Sequence, residues 1–323
     1  MTPSDRHPTR QMGSAFTSIE LDRAPRRRRD PGWLARRQKA ASTRFFPIWG
    51  SRILMVGGSP PRPAWLSPES AEAYLAHAES VTLLGEVGAQ AYFAIGFRFE
   101  DSPPPAGLEA FGAFRRLREI APLLDAESAT LLAYGKAMAH YHHHHLFCGR
   151  CGAPTRSSDA GHLRVCTNDT CGHQDFPRID PAIIVLVSSG ERCLLGRQPM
   201  WQDYMYSIIA GFVEPGETLE AAVAREVREE TGISVAEVHY QSSQPWPFPR
   251  SLMIGFTAEA QSVALELRDG ELEDARWFSR ADIAQGLRQG TLRLPSAISI
   301  SHRLIEAWFD AGGRRPLKDL LPD

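Results

Sequence analysis

The chain has 323 residues, 43% of them hydrophobic, and a formal net charge of −2. Such a chain is long and apolar enough for two or more domains. Its near-neutral charge excludes the strong positive field of a dedicated nucleic-acid or anionic-membrane binder. No apolar run approaches the ~20 residues of a membrane span, and the opening MTPSDRHPTR lacks the apolar core of a secretory leader. A cytoplasmic protein with no membrane partner is expected.

Residues 1–42 are polar and arginine-rich, with RRRR at 26–29. They read as a solvated, partly disordered segment, with RNA-phosphate contact as the sharper alternative. From residue 43, short apolar runs (FFPIW, RILMV, VTLLG, AYFAIGF) alternate with Gly, Pro and Ser, the pattern of a small β-rich domain. From 106 to about 147 the apolar spacing turns helical, through Leu117, Ile120, Leu123, Leu124, Leu131, Tyr134 and Met138. This makes 43–145 an α+β domain. The run HYHHHHLF at 140–147 reads as a polar helix face, since histidines at adjacent positions do not share a side of a helix. Extra metal ligation by His142–His145 is the alternative.

Four of the five cysteines fall within 24 residues: Cys148-x2-Cys151, fourteen residues, then Cys166-x4-Cys171. Two thiolate pairs on separate turns close a tetrahedral zinc site. Gly149, Gly152 and Gly172, each following a cysteine, permit the tight turns. With four protein ligands the zinc is structural, one per chain. Its binding, on the order of 10–16 kcal/mol, folds a ribbon over 146–177 that is too small for a core of its own. The fifth cysteine, Cys193, reads as a core residue of a strand.

Beyond the ribbon, AIIVLVSS (182–189) and RCLLGRQ are strands around a GE turn. MYSIIAGFV leads to a glycine-rich segment and a helix. SLMIGFTAEA and ARWFS are further strands, and SRADIAQGLRQ and ISHRLIEAWFDA are helices. Strands interleaved with helices make 178–315 an α/β or α+β domain. Its first helix lies in GFVEPGETLEAAVAREVREETGI, 211–233. Glu226, Glu229 and Glu230 fall three and four residues apart, on one face and within ~6 Å along the axis. Three such carboxylates repel unless hard cations such as Mg²⁺ or Mn²⁺ neutralise them. A solvated acidic face paired with Arg225 and Arg228 is the plain alternative, but the spaced pattern is more specific. It fills G-x5-E-x7-R-E-U-x-E-E-x-G-U completely, with Val227 and Ile233 at the aliphatic positions.

This segment resembles the box of the Nudix hydrolase family. The resemblance implies a mixed β-sheet sandwiched between helices, and cleavage of a nucleoside-linked diphosphate with several divalent ions. It implies Glu226, Glu229 and Glu230 as metal ligands, with Glu230 also the base. The Gly211 carbonyl is a further ligand, and Glu217 with Arg225 braces the box. A downstream carboxylate is expected at Glu271, with Glu273 and Asp274 as competitors.

Ten residues after the box stands SQPWPFPRS, 243–251. Its three prolines and two aromatic rings read as a rigid loop that either plugs a core or holds a flat ligand. It is similar to the SQPWPFPxS signature of the NADH pyrophosphatase and NAD-capped RNA hydrolase subfamily. That subfamily also carries a four-cysteine ribbon and a β-rich N-terminal domain in the same order. Four residues inside the second cysteine pair, where many ribbons have two, and the long arginine-rich start are departures.

The resemblance implies Gln244 and Ser251 against the dinucleotide, with Trp246 and Phe248 shaping the pocket. Phe176 and Phe212 stack on a base, and Ile184, Ala210 and Ser301 supply wall or backbone contacts. It also implies a homodimer with Phe212 reaching the neighbouring site, and NAD(H) and NAD-capped RNA as substrates. A broader hydrolase of ADP-ribose or dinucleoside polyphosphates and a non-catalytic RNA-binding Nudix module are the competing readings. The loop weighs against the first and the intact box against the second.

Overall fold

The computed structural model describes residues 16–321 apart from 18, 99–101, 268–269 and 313–314. Its described residues form two compact units. One comprises Asp180–Gln244 with the residues from Leu252 on, the other the residues up to Ile179 with Pro245–Ser251.

In the N-terminal unit, helix α1 (Pro31–Lys39) starts on Asp30, whose side chain accepts from Gly32 N and Trp33 N. Strands β1 (Thr43–Trp49), β2 (Arg52–Val56) and β3 (Arg62–Pro63) follow, then α2 (Pro68–Leu75), β4 (Ser80–Val87), β5 (Gln90–Phe97) and β6 (Ala113–Arg116). The sheet runs β3-β2-β1-β5-β4 with β6 on β2, and β1 lies parallel to β5. Its core includes Phe45, Leu54, Leu83, Phe93 and Ile95, with Phe45 and Phe93 stacked at 5.1 Å. The expected long helical stretch is broken. After β6 come the short α3 (Leu117–Ile120) and a 3-10 turn containing Pro122, and only then α4 (Ala126–His144). Proline, lacking an N–H, ends the first helix, and Asp125 caps the second by accepting from Ser128 N.

The RRRR stretch is not a free tail. Residues Arg27–Arg29 form a 3-10 turn. Arg27 pairs with Glu86 at 2.7 Å and Arg28 with Asp159 at 3.2 Å. The first fifteen residues of the expected 1–42 segment lie outside the described ones. The ribbon follows as an antiparallel three-stranded sheet: β7 (Thr155–Ser158), β8 (Leu163–Cys166) and β9 (Gln174–Asp175).

The C-terminal unit contains β10 (Asp180–Ser189), β11 (Arg192–Arg197), β12 (Ile209–Phe212), α5 (Leu219–Thr231), β13 (Val235–Trp246), β14 (Ser251–Ala260), β15 (Asp274–Ser279), α6 (Arg280–Gln289) and α7 (Ile300–Gly312). The sheet order is β13-β14-β10-β11-β15, with β12 on β10. Alternation along β10 sends Ile183, Val185 and Val187 to the α5 side with Ala222, Val223 and Val227. It sends Ile184 and Leu186 to the other side, with Ile283 of α6 and Ile300, Leu304 and Phe309 of α7. The sheet is therefore sandwiched between helices. Cys193 is fully buried in this second layer, as expected, and burial pushes its thiol up to about 12. The SQPWPFPRS stretch is not wholly loop: β13 runs through Trp246. Pro245 falls next to the last residue of β13, a strand that ends the sheet order, which is where a sheet tolerates proline.

Candidate active site and zinc site

The ligand atoms of Cys148, Cys151, Cys166 and Cys171 all lie within 4.8 Å of one another. Sγ separations are 3.5 Å for Cys151–Cys166 and 3.9 Å for Cys148–Cys171. A tetrahedral zinc with Zn–S near 2.3 Å sets its sulfurs about 3.8 Å apart, so the donor set and spacing fit. Backbone N–H groups of Arg150 and Asn168 point at Cys148 Sγ and Cys166 Sγ, each at 3.4 Å. Gly152 and Gly172 take φ of +76° and +57°, which is why glycine stands after a ligand in both knuckles.

The histidine run beside the ribbon is not a solvated face. His142 is fully buried. Its Nδ1 accepts from Arg164 Nη1 at 2.9 Å, so Nε2 carries the proton and donates to the Gly161 carbonyl at 2.9 Å. Tyr141 donates to the Asp175 carbonyl at 2.5 Å. The end of α4 is thus tied to β8 and β9. Burial first, then the Arg164 charge, pulls His142 down to about 4.

The glutamate helix is organised by Arg225. Its Nε and Nη2 donate to Glu217 at 2.6 and 2.9 Å, its Nη1 to Glu226 and Glu229 at 2.9 Å each, and its Nη2 to the Phe212 carbonyl at 2.9 Å. The guanidinium holds Glu217 down at about 2. Thr218 caps α5 through Ala221 N, and Gly232 closes it in the left-handed region at φ +73°. The three carboxylates grade from buried to open. Glu230 is 3% exposed, Glu226 half-buried, and the Glu229 side chain 54% exposed. Burial raises Glu226, against the pull of Arg225.

Gly211 lies against this face: a Cβ there would stand 2.0 Å from Glu226 Cδ. No other residue lets the β12 backbone approach the carboxylate so closely. Of the three downstream carboxylates, Glu273 bonds Arg197, and Asp274 accepts from Tyr206 and pairs with Arg276. Glu271 is the one whose charge acts on Glu226. The oxygen donors of Glu226, Glu229, Glu230, Glu271 and the Gly211 carbonyl are of the type a hard divalent ion takes, but among the described residues only the four thiols are gathered as closely as a bound ion requires.

The residues expected to touch substrate divide. Phe212 and Phe176 are 58% and 59% exposed. Trp246, Phe248 and Ser251 are partly buried. Gln244 takes part in the packing of the fold. It is fully buried, its Nε2 donating to the Ile298 carbonyl at 2.6 Å and its Oε1 accepting from Ile300 N at 2.7 Å. These two bonds seat it at the start of α7. Ser301 is likewise buried and paired with Ser207 at 2.7 Å, and the Ile184 side chain belongs to the core, with Ala210 packed against it.

Family models match three consecutive stretches. They are a NADH pyrophosphatase-like rudimentary NUDIX domain over 42–140, a NADH pyrophosphatase zinc ribbon domain over 143–174 and a NUDIX domain over 177–296. A Macaca fascicularis protein, NAD-capped RNA hydrolase NUDT12, is 32% identical over 341 residues, covering 91% of this chain and 73% of its own. The chain belongs to the Nudix family.

The human protein of the same name is also 32% identical, with the same coverages. A Mycobacterium bovis relative, NAD-capped RNA hydrolase NudC, is 44% identical over 202 residues, 59% of this chain. The match spans 64% of that relative's length. Within this Nudix chain, two features were not legible beforehand. One is the hold of Arg225 on the Phe212 carbonyl, which ties an exposed aromatic to the box. The other is the cationic setting of Trp246 and Phe248 described below. A lysine in the apolar stretch of α4 was the available signal for the second.

Proposed function

We propose that the chain hydrolyses the diphosphate bond of NAD(H) to NMN(H) and AMP, and removes NAD caps to leave 5′-monophosphate RNA. The observation that carries this reading is the intact Arg225-centred glutamate box in a chain that also bears the complete SQPWPFPRS stretch. The names of the relatives and of the matched ribbon family point to the same substrates. Two or more ions of Mg²⁺ or Mn²⁺, when bound, would neutralise the diphosphate oxygens and make a water nucleophilic. Glu226, Glu229, Glu230, Glu271 and the Gly211 carbonyl would hold them. Glu230, sequestered on α5, takes the proton of the attacking water as its oxygen bonds phosphorus and the bridging P–O bond breaks. Arg225 and Glu217 keep Glu226 and Glu229 aimed from one face. Phe212 and Phe176 stack on the planar rings, and Trp246, Phe248 and Ser251 shape the pocket. The working form is a cytoplasmic homodimer with one structural zinc per chain. Among the described residues no helix is long and apolar enough to cross a membrane.

The test is side-by-side incubation with NADH, ADP-ribose and NAD-capped RNA, with product analysis. NMN(H) with AMP and monophosphorylated RNA are expected, with NADH preferred over ADP-ribose. Equal or better turnover of ADP-ribose would overturn the substrate assignment.

A further inference from the structure

Residues Pro245–Ser251 pack within the N-terminal unit, and two cations receive them there. Lys136, in the middle of α4, is 7% exposed. Its ammonium donates to the Pro247 carbonyl at 2.5 Å and lies 5.0 Å from the centroid of the Phe248 ring. The Arg118 guanidinium of α3 lies 5.9 Å from the Trp246 centroid and 5.5 Å from that of Phe248. The two rings meet edge to face at 5.0 Å, and Phe16 stands 6.4 Å from Trp246.

A lysine normally keeps its ammonium in water while burying its stem. Here the ammonium itself is buried, and among the described residues no carboxylate pairs with it. The charge that acts on it is also cationic, the Arg118 guanidinium from α3, and His140 one turn along α4 is held neutral, its burial first and the nearby cations after it bringing it down to about 4. The strands beneath α4 present Phe46 and Ala94 at Gly135, and Gly96 at Ala139. Burial, then Arg118, brings Lys136 down to about 8, which is the mark of a cation kept at a cost. A methionine would fill the same space without that cost. What lysine adds is a grip on a carbonyl and a ring of one specific segment.

We propose that Lys136, assisted by Arg118, is a positioning residue for substrate choice: it holds Trp246 and Phe248 in the arrangement in which the 243–251 segment meets the dinucleotide. The inference rests on the reading that this segment selects NAD(H). It adds a specificity residue more than a hundred positions upstream of the segment it serves.

The test uses the full chain with saturating Mg²⁺, and compares Lys136→Met, Lys136→Gln, Arg118→Met and Phe248→Ala. Lys136→Met should raise KM for NADH about ten-fold with kcat within about two-fold, because the segment loses the contacts that fix its rings while the reacting atoms keep theirs. Its Tm should hold or rise, which a merely structural lysine would not allow. Lys136→Gln, which keeps a donor, should recover part of the KM. Phe248→Ala should raise KM alongside. An unchanged KM in Lys136→Met with a raised KM in Phe248→Ala overturns the role of Lys136 and leaves the segment's role standing. Unchanged KM in both, while Glu230→Gln is inactive, overturns the substrate-selecting reading itself. A fall in Tm that accounts for the KM change also overturns the proposal. If Lys136→Met does not fold, the exposed Arg118→Met carries the same KM comparison.

Discussion

At the scale of single residues, the site places carboxyl groups where water reaches them least. Glu230 is buried at the end of a turn that begins with the half-buried Glu226. Glu230→Gln preserves volume and removes the charge. It should lower NADH turnover at least about 100-fold, the usual worth of a general base, while Tm stays put. Gly211→Ala forces a methyl group into the Glu226 carboxylate. It should cost roughly 1–3 kcal/mol by overpacking and take activity with it, as thermal melts and turnover would show. His142 yields a pH prediction. Its folded pKa, about 4, lies below the unfolded value of ~6.5, so the unfolded chain binds the extra proton first. Stability at this residue is whole above pH ~6.5 and is lost as pH falls toward 4, by about 3 kcal/mol at most. Denaturant melts between pH 7 and 4 should show the loss, and His142→Gln should flatten it.

At the scale of elements, two supports are expected to matter more for folding than for chemistry. The ribbon has three strands of two to four residues, so its four thiols supply what packing over so few residues cannot. One zinc per chain should appear by elemental analysis. Cys148→Ser should lower Tm by several degrees before it lowers turnover per folded molecule. Helix α7 begins on a side chain from β13. Removing that side chain in Gln244→Ala leaves the buried Ile300 N without its acceptor and the part-buried Ile298 carbonyl without its donor. At ~1–3 kcal/mol for a buried orphaned group, the loss should be roughly 1–3 kcal/mol, read as a lower denaturation midpoint. Equal losses in kcat/KM for NADH and ADP-ribose would mark the side chain as a support of α7 alone, and a larger loss on NADH would mark it as a substrate contact as well.

At the scale of the whole molecule, the proposed dimer makes a prediction that single chains cannot. Phe212 presents its ring to solvent while its carbonyl is gripped by Arg225. If the ring serves the neighbouring site, Phe212→Ala and Glu230→Gln chains should each be weak alone. Mixed, they should regain part of the wild-type activity, since one site per mixed dimer is complete. No regain on mixing, with exchange verified by mass, would confine Phe212 to its own site.

Reading the residues in order determined what depends on short spacing. The Cys-x2-Cys and Cys-x4-Cys turns, the box from Gly211 to Ile233 and the alternation of β10 are set by neighbours a few positions apart. Their geometry follows from backbone periods of 2 and 3.6. The tertiary structure decided everything that depends on a distant partner. Gln244 came to seat the start of α7 because Ile298 and Ile300, over fifty positions on, fold beside it. The arginines at 27–29 became ion-paired because Glu86 and Asp159 come near. Lys136 became a buried anchor because Pro247, 111 residues away, brings it a carbonyl. A side chain's pattern predicts its face, but burial and partner set its energy, and both are properties of contacts that no local stretch contains.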